Sequence, residues 1–131
     1  MNVIVGISWP FANGDLHIGH AASSLPGDVI ARYHRLKGNR VLLVSGTDCH
    51  GTPTEVKALQ ENKSPKEIVD ACHTEFTKDW KDLGVSFDLF NRTDDDFHKN
   101  FVQEQFKKYD ANGLLYEKKK NNYTVIIVIC S

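Results

Sequence analysis

Two histidines, His17 and His20, stand where the chain changes from a loop to a helical pattern. Residues three apart share one face of a helix, so both imidazoles lie on the same side of its first turn. The N–H groups and dipole of a helix N-terminus favour an anion, and aimed N–H donors stabilise the charge that phosphates gain in a transition state. The pattern indicates a nucleotide triphosphate site, and solvated helix caps are the alternative.

Other phosphate and metal motifs do not occur in the sequence. No G-x-G-x-x-G follows the first strand pattern and no G-x-x-x-x-G-K-[ST] occurs anywhere, so motifs support neither a dinucleotide-binding fold nor a P-loop. A zinc site at the histidine pair would need further ligands, and the sequence has no Cys/His cluster to supply them. Gly19, between the histidines, lets a flat ligand approach the backbone.

A second loop that could bind a ligand covers residues 46–53, GTDCHGTP. Its Asp48 could hold a cationic group such as an ammonium, and a turn-forming aspartate is the alternative. We interpret Cys49 as a small packed side chain rather than a nucleophile. Trp9 and Phe11, at the end of the first apolar run, could line an apolar pocket or belong to the core.

The elements that must position these loops follow from the apolar pattern. Two β-branched runs, residues 2–8 and 41–45, predict buried parallel strands. A helix is predicted from about Ile18 to the cap at Gly38, and Pro26 inside it allows one kinked helix or two abutting ones. The apolar stripe of this helix consists of Ala21, Ala22, Leu25, Val29, Ile30 and Tyr33. Because ligands bind outside the carboxyl ends of parallel strands, both loops are expected to face one site.

The second half of the chain is helical in pattern. Ser64 and Glu67 form a capping box around Pro65, which predicts a helix start. The apolar positions of this helix, which we predict to be core, are Ile68, Val69, Cys72, Phe76, Trp80 and Leu83. A further helix is predicted between the acidic run at residues 94–96 and Gly113. Together the patterns predict an α/β layer fold with an open parallel sheet.

Composition narrows the class of protein. The chain has 131 residues with 16 basic against 17 acidic side chains, which indicates one ordinary globular domain and no basic footprint for nucleic acid. The longest apolar run, residues 125–130, is β-prone and too short to span a membrane, so we expect no membrane association. Cys49, Cys72 and Cys130 are too widely spaced for a zinc site or a disulfide framework. They fit a reducing compartment, and we expect a cytoplasmic protein.

Residues 9–20, WPFANGDLHIGH, resemble the long form of the HIGH signature of class I aminoacyl-tRNA synthetases, P-[YF]-x-N-G-x-x-H-x-G-H. Residues 46–53 resemble the methionyl members of that family, and so do residues 26–38 and 87–93. The resemblance runs from residue 3 to residue 116. It implies the N-terminal half of a Rossmann-like (HUP-type) parallel-sheet nucleotide-binding fold.

The resemblance also implies a reaction, in which methionine and ATP give methionyl-adenylate and pyrophosphate before transfer to tRNA. His17 and His20 would be catalytic: they would bind the ATP phosphates and stabilise the pentacovalent transition state. The ATP-binding residues would be Phe11, Asn13, His17, Gly19 and His20. The methionine-binding residues would be Trp9, Phe11 and Asp48, with Asp48 holding the amino group, and no residue of this chain would bind a metal. Phe11 stands where many members have tyrosine.

The family resemblance divides the chain at residue 115. Residues 1–115 would form the N-terminal half of the catalytic domain, and residues 116–131 would begin the connective insertion as a truncated or out-of-frame tail. Half of a doubly wound sheet would leave an open edge and an uncovered face. ATP would act with Mg²⁺ as a substrate, and zinc would belong to the family's insertion, which is missing here. In the full-length enzyme tRNA would make few contacts with this segment.

The chain departs from the family in two places. The second family signature, KMSKS, is absent because Met1 is the only methionine. Residues 121–131 do not follow the family's CxxC knuckle. One choice of AT-rich codons for residues 123–130 encodes Tyr-Cys-Asn-Tyr-Cys-Asn-Met when it is read in another frame. We therefore hypothesise that a frameshift created this end of the chain. We expect a fragment that carries half of the site and does not catalyse alone. A standalone ATP- or amino-acid-binding module and one half of a split synthetase are the alternatives.

Overall fold

The fold consists of two compact units, Met1–Asp95 and Asp96–Ser131. A computed structural model describes residues 1–120 and 123–128 of the chain. The first unit contains, in chain order, β1 (Asn2–Gly6), α1 (Ile18–Leu36), β2 (Arg40–Thr47), α2 (Thr52–Glu61), α3 (Pro65–Asp82) and β3 (Leu89–Arg92). Its strands form one parallel sheet in the order β1-β2-β3. The predicted α/β fold with a parallel sheet is therefore confirmed.

The crossover between β1 and β2 is the single helix α1, with Pro26 inside it. This finding excludes two abutting helices, the other arrangement that the sequence allows. Proline removes one hydrogen bond from a helix interior, yet α1 continues for ten more residues to Leu36. Gly27 lets the helix lie close to the sheet, because a Cβ atom there would be 2.8 Å from Ile7 Cδ1.

The buried face of α1 differs from the predicted apolar stripe. Its buried residues are small or polar, namely Ala21, Ser24, Asp28 and Ala31. The other members of the predicted stripe are all exposed: Ala22, Leu25, Val29, Ile30 and Tyr33. The prediction is wrong because close packing against the sheet selects small side chains, and because the carboxylate of Asp28 finds hydrogen-bond donors on that face.

Asp28 is a buried charge with partners inside and outside its own helix. It is 6% exposed. Its Oδ1 atom accepts hydrogen bonds from Ser86 N, at 2.8 Å, and from the Ser86 hydroxyl, while Oδ2 lies 2.6 Å from Arg32 Nε. Burial by itself raises the pKa of Asp28, but the hydrogen bonds from Ser86 and Arg32 outweigh it and hold that pKa below its usual value. The charged side chain thereby fixes the segment before β3 to the helix.

The sequence patterns do not indicate two elements of the first unit, α2 and β3. The chain enters β3 through Asp88, whose N–H donates to Leu43 O at 2.9 Å and whose Oδ2 accepts from Leu43 N at 2.7 Å. Arg35 Nη2 donates to the same oxygen at 2.7 Å. A strand of four residues is too short for a period-two signal. The position of β3 depends instead on these long-range hydrogen bonds.

Helix α3 begins as predicted. Ser64 N donates to Glu67 Oε2 at 2.8 Å and Glu67 N donates to Ser64 Oγ at 3.3 Å, which confirms the capping box. The buried residues of the helix are Ile68, Val69, Phe76 and Trp80, and Cys72 is half-buried. Leu83, predicted to be core, is 52% exposed. The prediction is wrong there because Leu83 is the C-cap, where the chain leaves the helix for Gly84 at φ 73°.

One face of the parallel sheet is covered and the other is exposed. The covered face contributes to a core cluster that comprises Val5, Ile7, Ala31, Val41 and Leu43. On the other face, the paired neighbours Ile4 and Leu42 are 75% and 43% exposed, and Leu89 is 49% exposed. The expectation of an uncovered sheet face is confirmed by these exposures.

The second unit contains α4 (Asp96–Ala111), β4 (Leu115–Lys120) and β5 (Tyr123–Val128). The helix confirms the predicted one, and the two strands pair antiparallel with Leu115 opposite Val128. The β-prone run predicted at residues 125–130 is therefore part of a paired strand as far as residue 128. Residues 121–122 and 129–131 lie outside the described residues, and the end of the predicted tail falls among them. Within the described ranges, no helix has the length and apolar character needed to cross a bilayer.

The first prediction concerns the buried carboxylate of α1. We expect Asp28→Ala to lower the free energy of unfolding by about 3 kcal/mol, because Ser86 and Arg32 lose their acceptor. Urea denaturation measures this change. Asp82→Ala is the matched control, since that side chain is 67% exposed and lies 3.8 Å from Lys78 Nζ, so its loss should change stability little. Equal effects of the two variants would contradict the role given to Asp28.

The second prediction concerns pH. The pKa of Asp28 in the folded protein lies below that of an unfolded aspartate, so its stabilisation is present at neutral pH and is lost as pH falls below about 4 towards the folded-state pKa. Asp28→Asn cannot titrate. The difference in unfolding free energy between wild type and this variant should therefore shrink from about pH 5 to about pH 3. Urea titrations at stepped pH measure it, and a constant difference would refute the linkage.

Candidate functional site

The two histidines of the first loop cap helix α1 reciprocally. Gly19 N donates to His17 Nδ1 at 3.1 Å, and His17 N donates to His20 Nδ1 at 3.1 Å. The ring centroids are 4.0 Å apart. A backbone N–H can donate only to a ring nitrogen without a proton, so each neutral ring carries its proton on Nε2. The capping box leaves two Nε2–H donors side by side at the start of the helix.

The surroundings of His20 favour the neutral form of its ring. Burial, and then the neighbouring His17, lower the pKa of His20 below its ordinary value, so the His20 imidazole is neutral at pH 7. Gly19 makes room for the pair, because a Cβ atom there would lie 2.9 Å from His17 Cε1. The missing side chain thus serves the His17 ring as well as any ligand that approaches the backbone.

The loops after β1 and β2 pair with each other beyond the ends of the strands. Phe11 forms a parallel bridge with Asp48, in which Asp48 N donates to Pro10 O at 2.8 Å and Ala12 N donates to Asp48 O at 2.9 Å. Thr54 Oγ1 donates to the carbonyl of buried Ala12 at 3.0 Å. This pairing brings the predicted methionine-binding residues into one region, as the carboxyl ends of parallel strands require.

The two aromatic residues of this region differ in their surroundings. Trp9 lies against Gly46 of β2, where an added Cβ atom would overlap the indole ring and the Asn91 carbonyl. Glycine is therefore required at that position if the indole is to lie on the strand. Phe11 is 50% exposed, and its ring approaches Gly51. Half-exposed aromatics at a strand end can contribute an apolar wall to a ligand site.

Asp48 is half-buried and has a carboxylate with one oxygen held by the chain. His50 N donates to Oδ1 at 3.4 Å, as in the turn that the sequence also allows. Thr93 Oγ1 lies 3.5 Å from the same atom. Among the described residues both contacts reach Oδ1, which leaves Oδ2 as the oxygen that can accept hydrogen bonds from a cationic ligand.

The cysteine next to Asp48 is a packing residue, as predicted. Cys49 is 6% exposed and packs with Ala12 and Val69. Burial raises the pKa of its thiol, and burial likewise raises the pKa of Cys72. Neutral thiols are poor nucleophiles and poor metal ligands. Across the described residues, no cluster of three or more His, Cys, Asp or Glu side chains could hold a metal ion.

Two of the clefts formed by the described residues touch the predicted ATP-binding residues. The first, of about 400 Å³, opens beside His17 and is lined by Leu16, Ile18, Ala21, Asp79, Trp80, Asp82 and Leu83. The second lies at the N-terminus of α2, where the exposed Asn13 meets Thr52 and Pro53. The predicted site residues therefore fall into two groups, one around the histidines and one around Asp48, joined by the loop of residues 12–16.

Sequence reasoning missed three residues that shape the site, namely Gly46, Thr54 and Thr93. Thr93 directly follows β3, the third parallel strand, and donates to Asp48. The carboxyl-end rule for parallel sheets would have found it if residues 89–92 had been recognised as a strand. Gly46 and Thr54 carry no signal of their own, since their roles depend on which side chain the fold places against them.

Comparisons with known proteins agree with this arrangement. The family model for tRNA synthetases class I (M) matches residues 3–126. Methionine–tRNA ligase 1 of Alkaliphilus oremlandii (strain OhILAs) is 52% identical over 119 residues, or 91% of this chain and 22% of that protein. A methionine–tRNA ligase of Streptococcus pneumoniae (strain CGSP14) is also 52% identical over the same lengths.

A solved structure shows the same fold. The methionyl-tRNA synthetase of Mycobacterium tuberculosis, in complex with methionyl-adenylate, matches with a TM-score of 0.87 and 28% identity over 89% of this chain and 23% of that one. The chain spans about a fifth of the length of the curated relatives that it matches. By the extent of the family-model match and the agreement in fold, the chain belongs to the class I tRNA synthetases, in the group of the methionine–tRNA ligases.

Proposed function

We propose that this chain supplies the ATP-phosphate and methionine-binding half of a methionine–tRNA ligase active site. The observation that carries the proposal is the reciprocal capping of His17 and His20, which presents two Nε2–H donors together at a helix N-terminus. Such an end favours anions even without side chains. Catalysis of phosphoryl and adenylyl transfer depends mainly on donors aimed at the charge that develops on phosphate oxygens.

The reaction needs no covalent nucleophile from the protein. A carboxylate oxygen of methionine attacks the α-phosphorus of ATP, the bond from that phosphorus to the bridging oxygen breaks, and pyrophosphate leaves with the electron pair. His17 and His20 donate hydrogen bonds to the phosphate oxygens as negative charge builds there. ATP enters with Mg²⁺ as its counterion. Asn13 and Gly19 contribute the loop and the open backbone against which the nucleotide lies.

On the amino-acid side, Asp48 accepts hydrogen bonds from the α-ammonium group of methionine through Oδ2. Trp9 and Phe11 provide apolar walls for its thioether side chain. Phe11 lacks the hydroxyl of the tyrosine that many family members have, so its contribution is apolar contact alone. The half-buried carboxylate strengthens the ion pair relative to one in open water.

The rest of the proposal concerns the whole enzyme. Residues 1–115 belong to the catalytic domain, residues 116–131 begin its insertion, and tRNA accepts the methionyl group in the cytoplasm. The family's zinc finds no suitable ligands among the described residues, where both thiols are held neutral by burial. No step of the reaction given above uses zinc.

The third prediction tests the phosphate donors. We expect His17→Asn to weaken ATP binding by about tenfold, because asparagine can still cap the helix but lacks the Nε2–H donor. Calorimetric titration of the chain with Mg-ATP measures the affinity. His34→Asn, near the other end of α1, is the matched control and should bind ATP as wild type does. Equal ATP affinities of wild type and His17→Asn would refute the assignment.

The fourth prediction tests the ammonium site. We expect Asp48→Asn to weaken methionine binding by roughly tenfold to a hundredfold, since a hydrogen bond between charged groups is lost. Calorimetry with L-methionine measures it, with Asp79→Asn on α3 as the control. ATP affinity should stay unchanged in Asp48→Asn. Loss of both affinities would indicate a general structural defect instead of a methionine site.

A further inference from the structure

Thr93 makes hydrogen bonds to the chain on both sides of Asp48. Its N–H donates to Thr47 O at 3.1 Å, and its hydroxyl oxygen accepts from Cys49 N at 2.8 Å. The hydroxyl also lies 3.5 Å from Asp48 Oδ1. The main chain of Thr93 therefore holds the backbone before the aspartate, while its hydroxyl holds the backbone after the aspartate and contacts the carboxylate.

The hydroxyl of Thr93 has a defined direction. Because its oxygen accepts from Cys49 N, its single proton points away from that N–H and can be donated to Asp48 Oδ1. A hydroxyl that accepts from Cys49 N and donates to the carboxylate favours one orientation of the carboxylate group. In that orientation Oδ1 faces the hydroxyl, and Oδ2 keeps its acceptor capacity for a ligand.

The two neighbours of Thr93 in the chain, Arg92 and Asp94, are held by ion pairs. Arg92 makes a bidentate contact with Asp94, with Nε and Nη2 each 2.6 Å from a carboxylate oxygen. Arg92 Nη2 also lies 2.7 Å from Asp70 of α3. Bidentate arginine–carboxylate pairs fix geometry as well as charge. The Arg92 side chain is 22% exposed, so these contacts are partly shielded from water.

We propose that Thr93 is the positioning residue for Asp48, and that it sets the carboxylate so that Oδ2 faces the α-ammonium group of the amino-acid substrate. The proposal rests on the proposed function, in which Asp48 binds that ammonium. Thr93 acts through Asp48 and does not touch the substrate. It therefore governs selectivity for substrates that carry a free α-amino group.

A ligand-free measurement tests the positioning directly. Three-bond NMR couplings of the full chain report the χ1 rotamers of Asp48. Wild type and Thr93→Ser should show one dominant rotamer, and Thr93→Val should show averaging, because valine keeps the shape and loses the hydroxyl. Thr77→Val, an exposed threonine of α3 whose hydroxyl donates to His73 O, is the control and should match wild type. An unchanged Asp48 rotamer in Thr93→Val would overturn the proposal whether or not the chain binds methionine.

A binding measurement then separates positioning from general stability. We expect Thr93→Val to weaken L-methionine binding by about threefold to tenfold. Its affinity for 4-(methylthio)butanoate, which lacks the amino group, should stay within about twofold of wild type, and Thr93→Ser should restore methionine binding. Equal weakening for both ligands would overturn the proposal in favour of a structural role.

The two proposals fail in different ways. If Asp48→Asn weakens methionine binding but Thr93→Val does not, only the role of Thr93 is wrong. If Asp48→Asn has no effect, the proposed ammonium site is wrong, and the rotamer measurement still decides whether Thr93 orients the carboxylate.

Discussion

A buried carboxylate with donors from a distant part of the chain holds the first unit together. Asp28 lies on the face of α1 that packs against the sheet, and it accepts from the Ser86 main chain and hydroxyl. Leaving a buried charge without its partners costs several kcal/mol. The crossover helix can therefore lie on the sheet only when the segment before β3 supplies hydrogen-bond donors to Asp28. Two parts of the chain that are 58 residues apart thus depend on each other.

The candidate site is a consequence of that dependence. The packing of α1 against the sheet sets the direction of the helix N-terminus, and therefore the direction of the His17 and His20 donors. The segment at Ser86 leads into β3, and β3 ends at Thr93 beside Asp48. Parallel strands place their carboxyl ends at one edge, so the phosphate-binding and ammonium-binding groups both depend on how one helix and one short strand dock.

Two of the helix starts, including the one at the candidate site, could be predicted because their signals are local. The capping box of Ser64 and Glu67 and the histidines at the start of α1 involve residues two or three apart, where the sequence specifies the geometry directly. The buried face of α1 could not be predicted in this way. Leu25 and Val29 indicate an apolar stripe, but both are exposed. Because the helix packs closely on the sheet at Gly27, the face with small side chains is the buried one. Asp28, which makes the hydrogen bonds of that face, is a charged residue, and a prediction from polarity alone would expose it to solvent.

The sequence by itself determined β1, β2 and the helices α1, α3 and α4, the parallel βαβ unit, the two loops with chemical groups and the family. It could do so because strand runs, helix caps and signature motifs are short-range patterns. Only the tertiary structure decided which face of α1 is buried, that β3 exists and that Thr93 meets Asp48. Those outcomes depend on hydrogen bonds between residues more than forty positions apart, and no local pattern specifies which distant donor will meet a given acceptor.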